Sequence, residues 1–542
     1  MLKKKAHPPA THSPMPWQSW RVRVEAVLGV FALLPIVLFL VASLGRLRYP
    51  FPLEQLEGSM LLAAERIANG LPVYARPDFH FIPYMYAPAY YYVSGWAVRL
   101  LGPGFMALRL VSLLSLCGSL VLIYCLVLLD AHGSPKRRHL AGLVAAGLYA
   151  VAYPWTHAWF DLGRVDSLYI LLLLFALLCT RLSQKSLHPI FAAAAWTLAF
   201  LAKQTIFPVA IILLCCDWQR PRRMVAGLGS FLVMTAISVT LLNHVTQGWF
   251  WFYAFTVPHA NTDLLLRPAT FFISSQLIAP FGMALLVIAA AWFYLFRAKV
   301  RVIPNDQTAR LYFFSGISTF LLCWFLQAHA GATANTPMPV YAVLAIIFGI
   351  AFGRLDAALA LENSREWARI LLLAATAIPL ISSIYNPRDL IPHHPILSAN
   401  QQLVDWMRSF SGDVFVPVNP YQAVVAGKQW HPDVAALHDA LRADLPEIRQ
   451  PILNEIQAQI DGEQFDAIAL DGLPAQALAS QPWLPKDLES HYPLVGLVPG
   501  GDASDPFEPS PNYFLLPCRE QGLAAAKGWT LLRVEGVSPC KN

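Results

Sequence analysis

Long apolar runs separated by short basic clusters fill the first 385 or so positions of the chain. The runs lie near 24–44, 106–129, 139–153, 165–181, 188–201, 204–216, 224–242, 271–296, 311–327, 337–353 and 368–384. A helix of about 20 apolar residues crosses a bilayer core, so the pattern predicts about eleven membrane helices. The clusters between them include Lys3–Lys5 with Arg21 and Arg23, Lys136–Arg138, Arg181 with Lys185, Arg220 with Arg222 and Arg223, Arg297 with Lys299, Arg301 and Arg310, and Arg354 with Arg365 and Arg369. Lysine and arginine gather in cytoplasmic loops. An odd number of crossings then puts the N-terminal tail, 1–23, inside and the end of the chain outside. The first run is longer than a signal-peptide core and has no small-residue cleavage site after it, which predicts a retained helix.

The stretch 188–216 decides the parity. The basic clusters on both sides of it belong in the cytoplasm, and only a hairpin satisfies both. Each arm of about 13 residues would be roughly 20 Å long, short of a core of roughly 30 Å. Its tip, Ala202-Lys203-Gln204-Thr205, is therefore expected to sit below the outer surface. A lysine at that depth is costly unless it faces water or an anion. Two outer loops are long, about 48–103 and about 243–268, and loops of that size beside a bundle commonly build a site.

After residue 385 the pattern changes. Strand-like runs, Val414–Val418 and Phe465–Leu470, alternate with the helical patterns Val434–Leu441 and Ile448–Ile460. The fold expected is mainly α: a polytopic transmembrane bundle over 24–385, then a small extracytoplasmic α/β domain over 386–542. Composition agrees. The chain of 542 residues is 56% hydrophobic and 13% charged, against about 25% charged in soluble proteins. That is too little charge to coat a water-facing surface. The net charge of +6 is dispersed between apolar runs and makes no stripe for nucleic acid. Six of the eight cysteines lie in apolar runs, while Cys518 and Cys540 fall in the C-terminal domain. An outer location permits a bridge between those two; two free thiols are the alternative.

Candidate chemistry gathers on the outer side. The first loop carries Glu54 and Leu56-Glu57-Gly58, a short amphipathic pattern closed by Gly70, then Pro83-Tyr84-Met85-Tyr86-Ala87-Pro88, with Arg109 at the mouth of the second run. Asp161, Arg164 and Asp166 stand before and at the start of the fourth run. Pro258-His259-Ala260-Asn261 lies in the second loop. The bland readings are a glutamate favoured at a helix N-terminus, an ion pair at a helix end, a snorkelling lysine and an interfacial arginine anchor. His80, His157, His259 and His329 show no metal-ligand spacing with a carboxylate, so no metal and no cofactor are expected. No phosphate-binding loop or dinucleotide fingerprint is present. In the C-terminal domain, Asp466 and Asp471 stand at strand ends, where turn-forming aspartates are common, and no catalytic constellation is apparent.

The ordered set resembles the GT-C membrane glycosyltransferases, in particular the bacterial branch akin to protein O-mannosyltransferases and the aminoarabinose transferase of lipid A (families 39 and 83). The elements that carry the resemblance are Glu57-Gly58, Asn69-Gly70-Leu71-Pro72-Val73-Tyr74, Pro83 to Pro88, Ala107-Leu108-Arg109, Gly163-Arg164-Val165-Asp166, Lys203-Gln204-Thr205 and Asn335-Thr336-Pro337. It covers about residues 20–385. The resemblance implies an inverting transfer of a sugar from a polyprenyl-phosphate donor to a glycan, lipid or protein acceptor at the outer face of the cytoplasmic membrane. A first-loop carboxylate acts as general base. Glu57 and Asp166 are the catalytic candidates, with Lys203, Arg109, Arg164, Asp161, Tyr86, His259 and Asn261 around the substrate. The family often has Asp-Glu-Gly with the aspartate as base. Here Leu56 takes the aspartate's place, which leaves Glu57, Glu54, a base elsewhere or a chain that has lost the activity. The relatives' Glu-Lys-Pro is also missing, since Tyr86-Ala87-Pro88 stands there. The rival class is a transporter or lipid-handling permease without chemistry; it predicts matching halves with broken helices, and no such internal symmetry is visible.

Overall fold

The structure is a computed structural model that describes residues 16–185, 187–260, 270–297, 306–329, 332–361, 366–470, 481, 483–497, 513–521 and 531–533. Each of the eleven apolar runs lies on a helix. The helices are α1 (Pro16–Arg46), α2 (Glu57–Ala68), α3 (Ala89–Leu101), α4 (Phe105–Asp130), α5 (Pro135–Trp155), α6 (Val165–Ser183), α7 (Pro189–Ala202), α8 (Phe207–Cys215), α9 (Pro221–Val245), α10 (Phe272–Arg297), α11 (Asp306–Gln327), α12 (Met338–Ala360) and α13 (Glu366–Ser382). Among the described residues, seven helices are long and apolar enough to cross a membrane, or eight if a bent pair that begins with α13 counts as one span. α7 and α8 are the short arms of the hairpin, and the chain breaks between them at Lys203, whose backbone is extended. Prolines at the first turns of α5, α7 and α9 start those helices without wasting an amide donor.

Small residues let the helices close on one another, as packing within lipid favours. A Cβ on Gly147 of α5 would stand 2.3 Å from the carbonyl oxygen of Ala32 on α1, and one on Gly349 of α12 would stand 2.7 Å from Ala145. At the end of the bundle away from α2 and α3, Asp130 accepts from Arg181 Nε at 2.8 Å and from the Tyr312 hydroxyl at 2.9 Å. Arg354 donates to the Asp130 carbonyl at 2.8 Å. These contacts knit α4, α6, α11 and α12 at one end.

The C-terminal part holds α14 (His394–Arg408), α15 (Val434–Arg442) and α16 (Pro446–Asp461) around five strands. The strands are β1 (Asp413–Phe415), β2 (Phe465–Leu470), β3 (Leu494–Leu497), β4 (Tyr513–Leu516) and β5 (Leu531–Arg533), in the order β1-β2-β4-β3-β5. β1 and β2 are parallel and the other pairs antiparallel. The run expected over Val414–Val418 pairs only as far as Phe415, because Pro417 has no amide to offer the ladder. Asp466 accepts from the Gly412 amide and from Arg519 at 3.0 Å, a fastening within the domain. Asp471 lies outside the described residues. Cys518 is disulfide-bonded; Cys540 lies outside the described residues.

This domain is packed onto the first long loop, about 48–103. One buried apolar cluster runs from Met60, Phe79 and Tyr84 of the loop to Phe415, Leu437 and Phe465 of the domain. A second joins Tyr49 and Phe51 to Leu403, Trp406 and Val414. Gly58 marks a close approach: a Cβ there would stand 2.8 Å from that of Tyr421. The His431 imidazole lies between the two parts, with Nε2 2.8 Å from Asp413 Oδ2 and Nδ1 3.3 Å from the Phe79 carbonyl.

Candidate active site

Glu57 opens α2 and is fully buried. Its Oε1 accepts from Arg109 Nε at 3.2 Å and from the Gly163 amide at 2.5 Å. Its Oε2 accepts from Arg109 Nη2 at 2.8 Å and from the Leu53 amide at 2.7 Å. A carboxylate offers about four acceptor positions, and four donors occupy them. Burial opposes its charge, but the Arg109 guanidinium and the two amides outweigh burial and hold the carboxyl below the ordinary glutamate value. Arg109 spends its other nitrogen–hydrogens on the carbonyls of Tyr49 at 2.6 Å and Phe51 at 2.7 Å. Gly163 has to be glycine for its amide to come so near, since a Cβ would meet Leu108 at 2.9 Å and Glu57 Oε1 at 3.2 Å.

Glu54, one helical turn earlier, is held differently. Its Oε2 takes Arg164 Nη1 at 2.5 Å and the Leu56 amide at 3.1 Å, and its side chain keeps 19% of its surface exposed. Burial pushes this carboxyl above the ordinary glutamate value, against the pull of Arg164. Arg164 is itself buried and lies 5.2 Å from the Trp159 ring centre. Its Nη2 donates to the Tyr86 hydroxyl at 2.9 Å.

The second carboxylate candidate faces the hairpin tip. Lys203 Nζ donates to Asp166 Oδ1 at 2.8 Å, and Trp159 Nε1 donates to Oδ2 at 2.9 Å. Asn335 stands beside Asp166 as well. Gln204 Nε2 ties the tip to the Met85 carbonyl at 2.8 Å and the Ala254 carbonyl at 3.0 Å, one from each long loop. Around Lys203 lie three buried polar atoms: the Tyr169 hydroxyl and Thr205 Oγ1, which neighbour each other, and Gln204 Oε1, which has no direct hydrogen-bond partner. Buried polar groups are normally satisfied, so this corner is built to meet water or a polar ligand.

The structure thus brings Glu54, Tyr86, Arg164, Asp166 and Lys203 together. It turns Asp161 the other way, to Arg46 at 3.3 Å and the Tyr153 hydroxyl at 2.9 Å. Arg109 is enclosed by Glu57 and carbonyls. His259 is exposed on a helical turn of the second long loop, and Asn261 lies outside the described residues. Sequence reasoning missed Trp159 and Arg46, the partners of two named aspartates; a buried indole and an arginine ending a span carry no motif. Among the described residues, the one group of three metal-ligating side chains is Asp461, Asp487 and His491, part of the C-terminal domain, with both aspartates exposed. It includes none of the four histidines considered above.

No protein-family model matches the chain, and no curated protein does. Solved structures do. The crystal structure of ArnT, the aminoarabinose transferase, from Cupriavidus metallidurans bound to undecaprenyl phosphate superimposes with a TM-score of 0.57 at 15% identity, over 92% of this chain and 98% of that one. The same protein in its apo state gives a TM-score of 0.53 at 15% identity, with the same coverage. A likeness over 92% of the chain reaches beyond the 20–385 that the motifs cover. The chain therefore has the GT-C fold that ArnT has.

Proposed function

We propose that this protein is an integral membrane glycosyltransferase that takes a sugar from a polyprenyl-phosphate donor. The observation that carries the reading is the corner around Lys203, where a cation paired with Asp166 lies among buried polar side chains at a break between two short apolar helices. The shared fold supports it, since ArnT binds undecaprenyl phosphate. In the reaction the acceptor oxygen attacks the anomeric carbon. The bond from that carbon to the phosphate oxygen breaks, its electron pair leaves with the phosphate, and the configuration inverts. A departing phosphate gains charge, so a fixed cation stabilises the transition state more than the ground state. Lys203 is assigned that task.

The base is assigned to Glu54. Glu57 has four donors on its two oxygens and no exposed surface, whereas Glu54 has one oxygen free of the Arg164 contact and a raised proton affinity. Proton transfer requires contact with the acceptor and a pKa near the working pH. Glu57 then serves as the clamp that fixes the first loop on α4 and on the turn before α6. Arg164 and Tyr86 orient Glu54. The acceptor is a hydroxyl of a glycan, lipid or protein.

The test is release of radiolabel from a panel of polyprenyl-phosphate sugars by the purified protein in lipid. Release from at least one carrier is expected. No release and no donor binding would sink the reading and turn attention to transport flux.

A further inference from the structure

The sequence shows no catalytic pattern after residue 385, yet one carboxylate of the C-terminal domain reaches the site. Asp433 caps α15, where its Oδ1 accepts from the Ala435 amide at 2.8 Å. Its other oxygen, Oδ2, is buried and outside normal hydrogen-bond geometry, with the Tyr84 hydroxyl as a neighbouring donor, and the residue is 0% exposed. An N-cap needs a single oxygen, and serine or asparagine would serve equally well. Burying a second carboxylate oxygen short of donors is costly, so the cap alone does not explain an aspartate here.

The surroundings point to a ligand. Asp433 interacts with Tyr84 and Glu54 of the first loop and with Arg164 at the head of α6. The buried Tyr84 hydroxyl, between Ser59 and Asp433, can fill one lone pair of that oxygen and leaves the other open. The segment is rigidly placed: the Val434 amide donates to the Pro417 carbonyl at 2.8 Å, and His431 is held between Asp413 and Phe79. Two carboxylates and a phenol, all buried or nearly so, form a cradle with acceptor capacity to spare.

We propose that Asp433 is a substrate-binding residue contributed by the C-terminal domain: its Oδ2 accepts a hydrogen bond from a second hydroxyl of the sugar acceptor, beside the hydroxyl whose proton Glu54 takes. The acceptor class this implies is polyhydroxyl, with at least two hydrogen-bond donors close together, as on a glycan. The inference rests on the glycosyltransferase reading above. Burial raises the Asp433 carboxyl to about 7, with Glu54 adding to the rise while the Ala435 amide, Tyr84 and Arg164 oppose it. Only the ionised form leaves that oxygen purely an acceptor, so recognition strengthens as pH rises through about 7.

The experiment compares the full-length protein with Asp433→Asn and Asp433→Ser, using the polyprenyl-phosphate sugar that the wild type cleaves. Water and maltotriose are the two acceptor probes. Asparagine and serine keep the cap, and unchanged donor binding certifies the fold. Wild-type transfer to maltotriose is expected to exceed hydrolysis and to rise through about pH 7. Both variants should lose roughly 10- to 100-fold in kcat/KM for maltotriose, the loss expected for one hydrogen bond to a charged group. Their hydrolysis of the donor should fall far less, since water has no second hydroxyl to recognise. Equal losses with water and maltotriose, or no loss with either, would overturn the proposal while leaving the glycosyltransferase reading in place. So would a wild type that prefers water to maltotriose. A wild type that cleaves no donor removes both.

Discussion

Glu54 and Glu57 stand three positions apart in the chain, and the protein holds the two carboxylates in opposite ways. Glu57 is sealed: a bidentate arginine and two amides fill its acceptor positions, and its charge is stabilised. Glu54 is partly open, has a single arginine, and its proton affinity is raised. The difference teaches that an acidic residue beside a glycine in the first loop is not by itself a base. What matters is how many donors reach it. A saturated carboxylate fixes architecture, and an unsaturated one near an aromatic-boxed arginine is available for chemistry.

The contrast can be broken by mutation. The largest stability effect is expected at Arg109→Met, which leaves Glu57 buried without its cation and should cost about 3–5 kcal/mol. Thermal unfolding in detergent measures it, and a loss under about 1 kcal/mol would argue against the clamp. Next is Lys203→Met, which removes the cation beside the buried polar side chains. Donor affinity should fall roughly 10- to 100-fold, read by competition with undecaprenyl phosphate. Unchanged affinity would move the phosphate site elsewhere. Gly58→Ala should cost about 1–3 kcal/mol by forcing Tyr421 away, and hydrogen exchange should rise in α2 and around Tyr421. Protection left as in the wild type would mean that the contact yields freely. The smallest effect is on pH dependence. Because the folded Glu57 carboxyl lies below its free value of 4.5, its stabilisation is present above that pH. It is lost as pH falls through the folded value, and a wild type whose acid limb matches that of Glu57→Gln would contradict this.

Much of the bundle was legible because lipid imposes a simple pattern. Every predicted apolar run lies on a helix, and the clash of two basic clusters around 188–216 foretold the short hairpin with Lys203 at its break. The helical patterns near 434–441 and 448–460 and the strand at 465–470 also match observed elements, although β1 stops before Pro417. The site was legible only in part. Composition and spacing reveal acidic residues, but not the backbone amides of Gly163 and Leu53 that saturate Glu57. Asp161 and Asp166 look alike in the sequence, yet one turns to Arg46 and the other to Lys203. Asp433 was invisible because its neighbours, Tyr84 and Glu54, come from the other end of the chain.

The most direct test sets Glu54→Gln beside Glu57→Gln, with transfer rate and unfolding temperature measured on both. If Glu54 is the base, Glu54→Gln should lose about 10²- to 10⁴-fold in rate with its unfolding temperature nearly unchanged, while Glu57→Gln should be chiefly destabilised. A stable, inactive Glu57→Gln alongside an active Glu54→Gln would contradict the assignment and return the base to Glu57.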